Sequence, residues 1–404
     1  MTCDEWRPGP YGLDAAKGTT LAGRRTVLVV VHHLTAATRL ADVVPLVEGD
    51  RRIQVVYTES PASVLRVGVG DHLRGLGGLL IPYHQAIRTS FDLAIAAGDG
   101  RLQDLHAPVL TLPHGAPPGV LVHRWAGRGP AGRRPLPGLR ADAIAAGGRV
   151  IPSALAVAHE SQVLQVGEVC PDALPVTFVA GDPTFDRMLA GAGRRAAYRQ
   201  ALGAGPDQTL VFVSSTWGPR SLLGRHDDLP LRLARELPSD RYRIVVAFHP
   251  NIWCWHGRRQ VAAWFEDCRR LGVRILPPEQ GWQAALVAAD RLIGDHGSVT
   301  GYGAALGVPT LLAAFPDEDV MAGSAVALLG RSAPRLDQRR PLEPQIAACA
   351  PGASAALRSR LTSRPGQAAA ILRRRMYELL QLPEPPSAAR VEPVAPPRPL
   401  EVAR

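Results

Sequence analysis

Short apolar runs, rich in Val, Ile and Leu, alternate along this chain with helical stretches, and each run stops at small or polar residues. The clearest is "RTVLVVVHH", followed by a helical pattern from Thr35 to Val44. "RIQVVYTES", "GGLLIPYH", "FDLAIAAG", "PVLTLPHG", "ALAVAHES" and "VTFVAGDP" continue the series to Pro183. Strands this apolar are buried on both faces, which predicts a parallel sheet covered by helices. The stretch 184–208 reads as helix and loop. A second series then begins: "TLVFVSSTWG", "YRIVVAFHP", "GVRILPP", "DRLIGDHG" and "VPTLLAAFP". Helical patterns intervene at Gln260 to Leu271 and Trp282 to Ala288, and a last one runs from Gly366 to Leu380. Two consecutive series of this kind predict an α/β chain of two Rossmann-like doubly wound domains. The expected organisation is a flexible arm at 1–22, an N-terminal domain at 23–182, a C-terminal domain at 183–381 and a disordered Pro-rich tail at 382–404.

With 404 residues, 46% hydrophobic and 20% charged, the chain has the balance of a globular protein. No apolar run approaches the ~18–20 residues that span a bilayer, and the N-terminus lacks the order of a signal peptide, so the expected location is cytoplasmic. The five cysteines, Cys3, Cys170, Cys254, Cys268 and Cys349, are scattered with no CxxC pair, which argues against disulfides and structural zinc. The net charge of +10 comes almost wholly from arginine, with Lys17 the only lysine. That excess admits anionic partners such as nucleotides, phosphates or a membrane surface to which the protein binds peripherally. Nucleic acid is not expected, because no motif for it occurs and aromatic residues are only 5% of the chain. The absence of GxxxxGK[ST] excludes a P-loop NTPase, and no GxGxxG follows a strand. HExxH and GxSxG are also missing.

In open α/β sheets ligands bind beyond the carboxyl ends of the strands, so polar residues there carry the candidate chemistry. His114 follows the strand "PVLTLP", where a near-neutral imidazole suits a general base; a loop histidine before a Pro-rich turn is the competing reading. Ser214, Ser215 and Thr216 close a strand and could line a phosphate, with Arg220 adding charge, or could simply cap the next helix. His249, before Pro250, could stabilise a leaving phosphate or be a satisfied core histidine. Trp253 and Trp255 nearby are expected to pack. Asp295, His296, Gly297, Ser298 and Thr300 join a strand to a helix whose free N–H groups and hydroxyls suit an anion, with Gly297 allowing close approach; an ordinary cap competes. The acidic loop Asp317 to Asp319 could reach a ribose or sugar hydroxyl, or be solvated.

The order of "LPHG", "VAGDPTFDRML", "VSSTWG", "VAFHP" and "DRLIGDHGSVTGYGAALGVPTLL" resembles the CDP-glycerol:polyglycerol phosphate glycerophosphotransferases. It is also similar to the wider GT-B glycosyltransferase and nonhydrolysing UDP-GlcNAc 2-epimerase group. The matching positions are His114 and Gly115, Gly181 and Asp186, Ser215 and Thr216, His249 and Pro250, Asp295 and Ser298, and Gly307 and Pro309. Two features depart: "APPG" stands where the family has a lysine after His-Gly, and "HGSVT" replaces a Ser-Ser pair. The resemblance implies two domains facing a cleft and a CDP- or UDP-linked donor whose glycosyl or glycerophosphoryl group passes to a hydroxyl acceptor. His114 would then be the base, while His249, Ser298 and Thr300 would hold the donor phosphates. No metal or cofactor is called for, since helix N–H groups and basic side chains can offset the leaving charge. A UDP-sugar 2-epimerase is an alternative, although its acid and base carboxylates have no assigned position. A nucleotide-binding protein without catalysis is another, favoured by the two departures.

Overall fold

The computed structural model describes residues 6–12, 15–117, 119–121 and 139–401. Cys3 and the end of the tail, 402–404, lie outside them. The chain divides into two compact units. The first comprises 1–115, 137–183 and 363–391, and the second 116–136, 184–362 and 392–404.

The first unit is built on a seven-stranded parallel sheet. Its strands are β1 (Arg25–Val31), β2 (Ile53–Glu59), β3 (Leu80–Ile81), β4 (Leu93–Ala96), β5 (Val109–Thr111), β8 (Ala154–Val157) and β9 (Thr177–Val179). A two-stranded antiparallel pair, β6 (Ala145–Ala146) and β7 (Arg149–Val150), stands apart. The order across the sheet is β3-β2-β1-β4-β5-β8-β9. Each apolar run of the first series therefore becomes one strand. Val27 to Val31 have no solvent exposure, which is why β1 shows no polar alternation. Burying each such valine contributes ~1.5–3 kcal/mol.

The second unit repeats the plan with five parallel strands. They are β10 (Thr209–Ser215), β11 (Tyr242–Phe248), β12 (Arg274–Ile275), β13 (Arg291–Gly294) and β14 (Thr310–Leu312), in the order β12-β11-β10-β13-β14. In both sheets the first strand sits inside, flanked by the second on one side and the fourth on the other. That reversal of strand order is the topological switch point, where open α/β sheets bind ligands. It falls between β1 and β4 in the first unit and between β10 and β13 in the second.

Several helices depart from the sequence pattern. Within Thr35 to Val44 the helix ends at Leu40 and residues 41–44 are turn; a second short helix, Pro45–Glu48, then opens on a proline that fits a first helical position. Gln260 to Leu271 divides at Phe265 into Arg258–Trp264 and Glu266–Arg270.

Three organisational expectations also change. The last helix, Ala368–Leu380, belongs to the first unit: Leu372, Met376, Tyr377 and Leu380 enter its core, and the Tyr377 hydroxyl donates to Asp50 at 2.8 Å. Part of the N-terminal arm is packed rather than loose. Tyr11 is buried near Phe91, and Arg7 and Gln85 exchange hydrogen bonds of 2.9 and 2.6 Å. The Pro-rich segment after residue 382 is ordered through residue 401. Proline lacks an N–H but keeps its carbonyl, so an extended Pro-rich strand can be held by accepting bonds from outside. Here Arg373 pairs with Glu384 at 2.7 Å in the first unit. In the second unit Tyr198 donates to the Val394 carbonyl at 2.6 Å, Val394 is buried, and the Leu400 N–H donates to the Ile275 carbonyl of β12 at 2.8 Å.

Candidate functional site

At the switch point of the second unit the chain leaves β10 through Ser214, Ser215 and Thr216 and leaves β13 through Asp295. Asp295 has no solvent exposure and ties the two exits together. One carboxylate oxygen accepts from the N–H groups of Thr216 at 2.9 Å and Leu222 at 2.8 Å; the other accepts from Gly297 at 2.9 Å. Burial pushes this carboxyl up, while His296 and the three N–H donors pull it down. The residue is thus a clamp facing inward.

Beyond it runs the nine-residue helix Ser298–Leu306. Its N-cap is Gly297, which has no side chain with which to cap, and the first N–H groups of any helix lack an internal acceptor. Ser298 is exposed at this end. Gly297 is needed for space: a Cβ there would stand 3.0 Å from Thr216 Cβ and 3.1 Å from Asp295 Oδ1. At the end of β11, His249 accepts from Asn251 N–H through Nδ1 at 3.1 Å, and its backbone N–H donates to the Ser215 carbonyl at 2.9 Å. The Trp217 ring lies 6.4 Å away, centroid to centroid.

The fold therefore gathers Ser214 to Thr216, His249 and Asp295 to Thr300 at one end of one sheet. Their side chains do not all face outward. Thr300, expected to hold phosphate, is fully buried, and its hydroxyl accepts the Asp295 N–H at 3.2 Å. A Cβ at Gly294 would fall 2.3 Å from that hydroxyl, so the contact depends on glycine. Ser214 is buried, and Ser215 is buried as the acceptor of Leu223 N–H at 3.0 Å. Arg220 forms an ion pair with buried Asp319, so its charge is compensated inside the unit, and the loop Asp317 to Asp319 is partly a structural counter-charge. His296 is pushed down by burial, against the pull of Asp295 and with Arg220 adding to the effect. Its Nδ1 has no hydrogen-bond partner among the described residues.

The fold has counterparts of known structure. No family model matches the chain, and no curated protein matches it. Solved structures do. The wall teichoic acid polymerase TagF is 12% identical with a TM-score of 0.54, over 89% of this chain and 90% of that one. The UDP-GlcNAc 2-epimerase of Neisseria meningitidis, bound to UDP-GlcNAc, is 11% identical with a TM-score of 0.50, over 88% and 99%. The fold is of the GT-B type. Identities this low establish the architecture of two Rossmann-like units and nothing of the reaction.

The first unit carries the remaining candidate, His114, exposed just beyond β5. The sequence reading missed its neighbour. His33 follows β1, and its ring meets that of His114 edge to face with centroids 4.8 Å apart. His33 Nδ1 accepts the Ala36 N–H at 3.1 Å and caps the helix Leu34–Leu40, so Nε2 carries the proton of the neutral ring. Burial first, then the charges of His114 and His32, push its pKa down to about 3. His32 is buried with Nε2 3.1 Å from the Gly100 carbonyl. The paired histidines ending "RTVLVVVHH" were the available signal. Nearby, Arg39 and Asp182 form a buried ion pair through bonds of 2.8 and 3.2 Å. This pair and Gly181 line a small cavity with Pro113, Gly115 and Ala158, next to the loop that carries His114.

Proposed function

We propose that the chain moves a glycosyl or glycerophosphoryl group from a CDP- or UDP-linked donor to a hydroxyl acceptor. The observation that carries this reading is the uncapped start of the helix Ser298–Leu306, placed at the switch point of the second unit. Its free N–H groups and the Ser298 hydroxyl suit a diphosphate, and the helix dipole adds ~0.3–1 kcal/mol. Asp295 does not oppose the anion strongly, because its carboxylate is sheathed by three N–H donors. His249 stands at the same end of the sheet and would stabilise charge on the departing nucleotide.

In this scheme the acceptor oxygen forms a bond to phosphorus or to the anomeric carbon, and the nucleotide leaves with the bonding pair. His114 takes the proton of the acceptor hydroxyl. His33, held neutral beside it, orients the ring without competing for that proton. The two neighbours support a nucleotide-linked substrate by analogy, since one is a polymerase of wall teichoic acid and the other is bound to UDP-GlcNAc. Contact with a membrane surface would follow only if the acceptor is lipid-linked.

A thermal-shift series with CDP-glycerol, UDP-GlcNAc, and GDP- and dTDP-linked sugars tests the donor. A rise in Tm with one nucleotide family, reduced in Ser298→Ala, is expected; no rise with any of them refutes the donor site. Nucleotide release is then followed with glycerol phosphates and sugars as acceptors. Stabilisation without release would favour the binding-only reading, which the "APPG" and single-serine departures and the internal pairing of Arg220 also favour. Conversion of UDP-GlcNAc at C2 without an acceptor would favour the epimerase.

A further inference from the structure

The second unit has a groove of about 670 Å³ that the donor reading leaves unused. It runs between the loop after β10 and the helices Pro250–His256 and Arg258–Trp264. Its volume falls within the ~300–1,000 Å³ of small-molecule sites. Three indoles line it, and all are open to solvent: Trp217 is 45% exposed, Trp255 67% and Trp264 51%. Trp255 was expected to pack beside Trp253; only Trp253 does, at 3% exposure and 6.3 Å from the Phe248 ring. The Trp264 ring is braced edge-on by His256 at 5.0 Å.

Of its polar side chains, Ser221 is taken up by bonds to Gly218 and Gly224 and His256 packs on Trp264; Asn251 and Asp227 decide what the groove suits. Asn251 is 8% exposed and lines the groove; its backbone N–H donates to His249 Nδ1, and its carboxamide has no hydrogen bond among the described residues. Its carboxamide reaches the groove, where it can donate to and accept from a ligand. Asp227 is exposed and has no ion-pair or hydrogen-bond partner among the described residues. Its carboxylate is acceptor-only and repels phosphates, whether of a nucleotide or of an anionic lipid. A bilayer would also be met by protruding indoles rather than by a concave site. A neutral polyhydroxyl ligand fits these groups: its C–H faces cover the indoles, its hydroxyls donate to Asp227, and Asn251 both donates and accepts.

We propose that this groove binds a neutral saccharide chain, separately from the phosphate site at Ser298. The inference stands on the tryptophans, Asn251 and Asp227, and holds whether or not the chain transfers a group.

The test is calorimetric titration of the full chain with maltohexaose, cellohexaose and chitohexaose. At least one should bind, with the affinity weakened about tenfold or more in Trp255→Ala. Asp227→Ala should weaken it several-fold. Both side chains are exposed, so the variants should keep the wild-type Tm, which is measured in parallel. Sugar binding absent from the wild type, or unchanged in both variants, overturns the proposal. So does co-sedimentation with phosphatidylglycerol/phosphatidylcholine vesicles that depends on Trp255 while no sugar binds; that result would assign the face to a membrane surface.

Discussion

The two units share one strand order and finish their switch points in opposite ways. In the first, imidazoles close the crevice: His32 and His33 follow β1, and His33 caps the next helix with its own ring. In the second, a carboxylate fastens the strand exits from inside and leaves the following helix uncapped at Gly297. On the function proposed above, the same topology would serve proton transfer in one unit and anion binding in the other. What differs is whether a side chain satisfies the orphan N–H groups of the helix that follows: His33 does in the first unit, and none does at Gly297 in the second.

The contrast can be broken at each end. The largest effect is expected for His114→Ala, a loss of about 10²–10⁴ in turnover with donor affinity kept. Single-turnover nucleotide release with calorimetry of donor binding checks it, and an equal fall in both would make His114 structural. Next comes Asp295→Ala, which strands three buried N–H groups at about 1–3 kcal/mol each. A loss of about 3 kcal/mol or more is expected in urea unfolding. Asn at this position should restore part of it.

His33 sharpens the comparison through pH. Its folded pKa is depressed to about 3, so the unfolded chain takes up a proton there that the folded chain refuses. Stability is therefore full above the ordinary histidine value of ~6.5 and falls as pH drops from there toward 3, by up to ~1.4 kcal/mol per pH unit. In His33→Asn, which can still cap, urea midpoints at pH 7, 6 and 5 should decline less steeply; His32, also depressed by burial, leaves a residual slope. The smallest effect is expected for Ser298→Ala, about three- to tenfold weaker nucleotide diphosphate binding, since the helix N–H groups remain. An unchanged Kd would remove the hydroxyl from the site.

The sheets were legible because parallel strands carry their signal in a few consecutive apolar residues. Even β3 and β12, two residues each, lie within the quoted runs "GGLLIPYH" and "GVRILPP". The hairpin β6–β7 was not legible, since "AAGGRV" has no alternation to read. Strand ends could be found, but not which way their side chains face. Thr300 and Ser298 look equivalent in "GSVTG", yet one is buried behind Gly294 and the other exposed. Arg220 looked free because its counter-charge, Asp319, is far along the chain. His33 was missed because its significance lies in a contact with His114, which no local pattern encodes.

The Leu400 N–H that bonds to Ile275 has a consequence for solubility. β12 is the outer strand of the second sheet, and an outer strand with open backbone groups invites pairing with another molecule. The proline-rich segment occupies part of that edge while offering few N–H donors of its own. It acts as a selvedge, finishing the sheet so that it does not continue into a neighbouring chain.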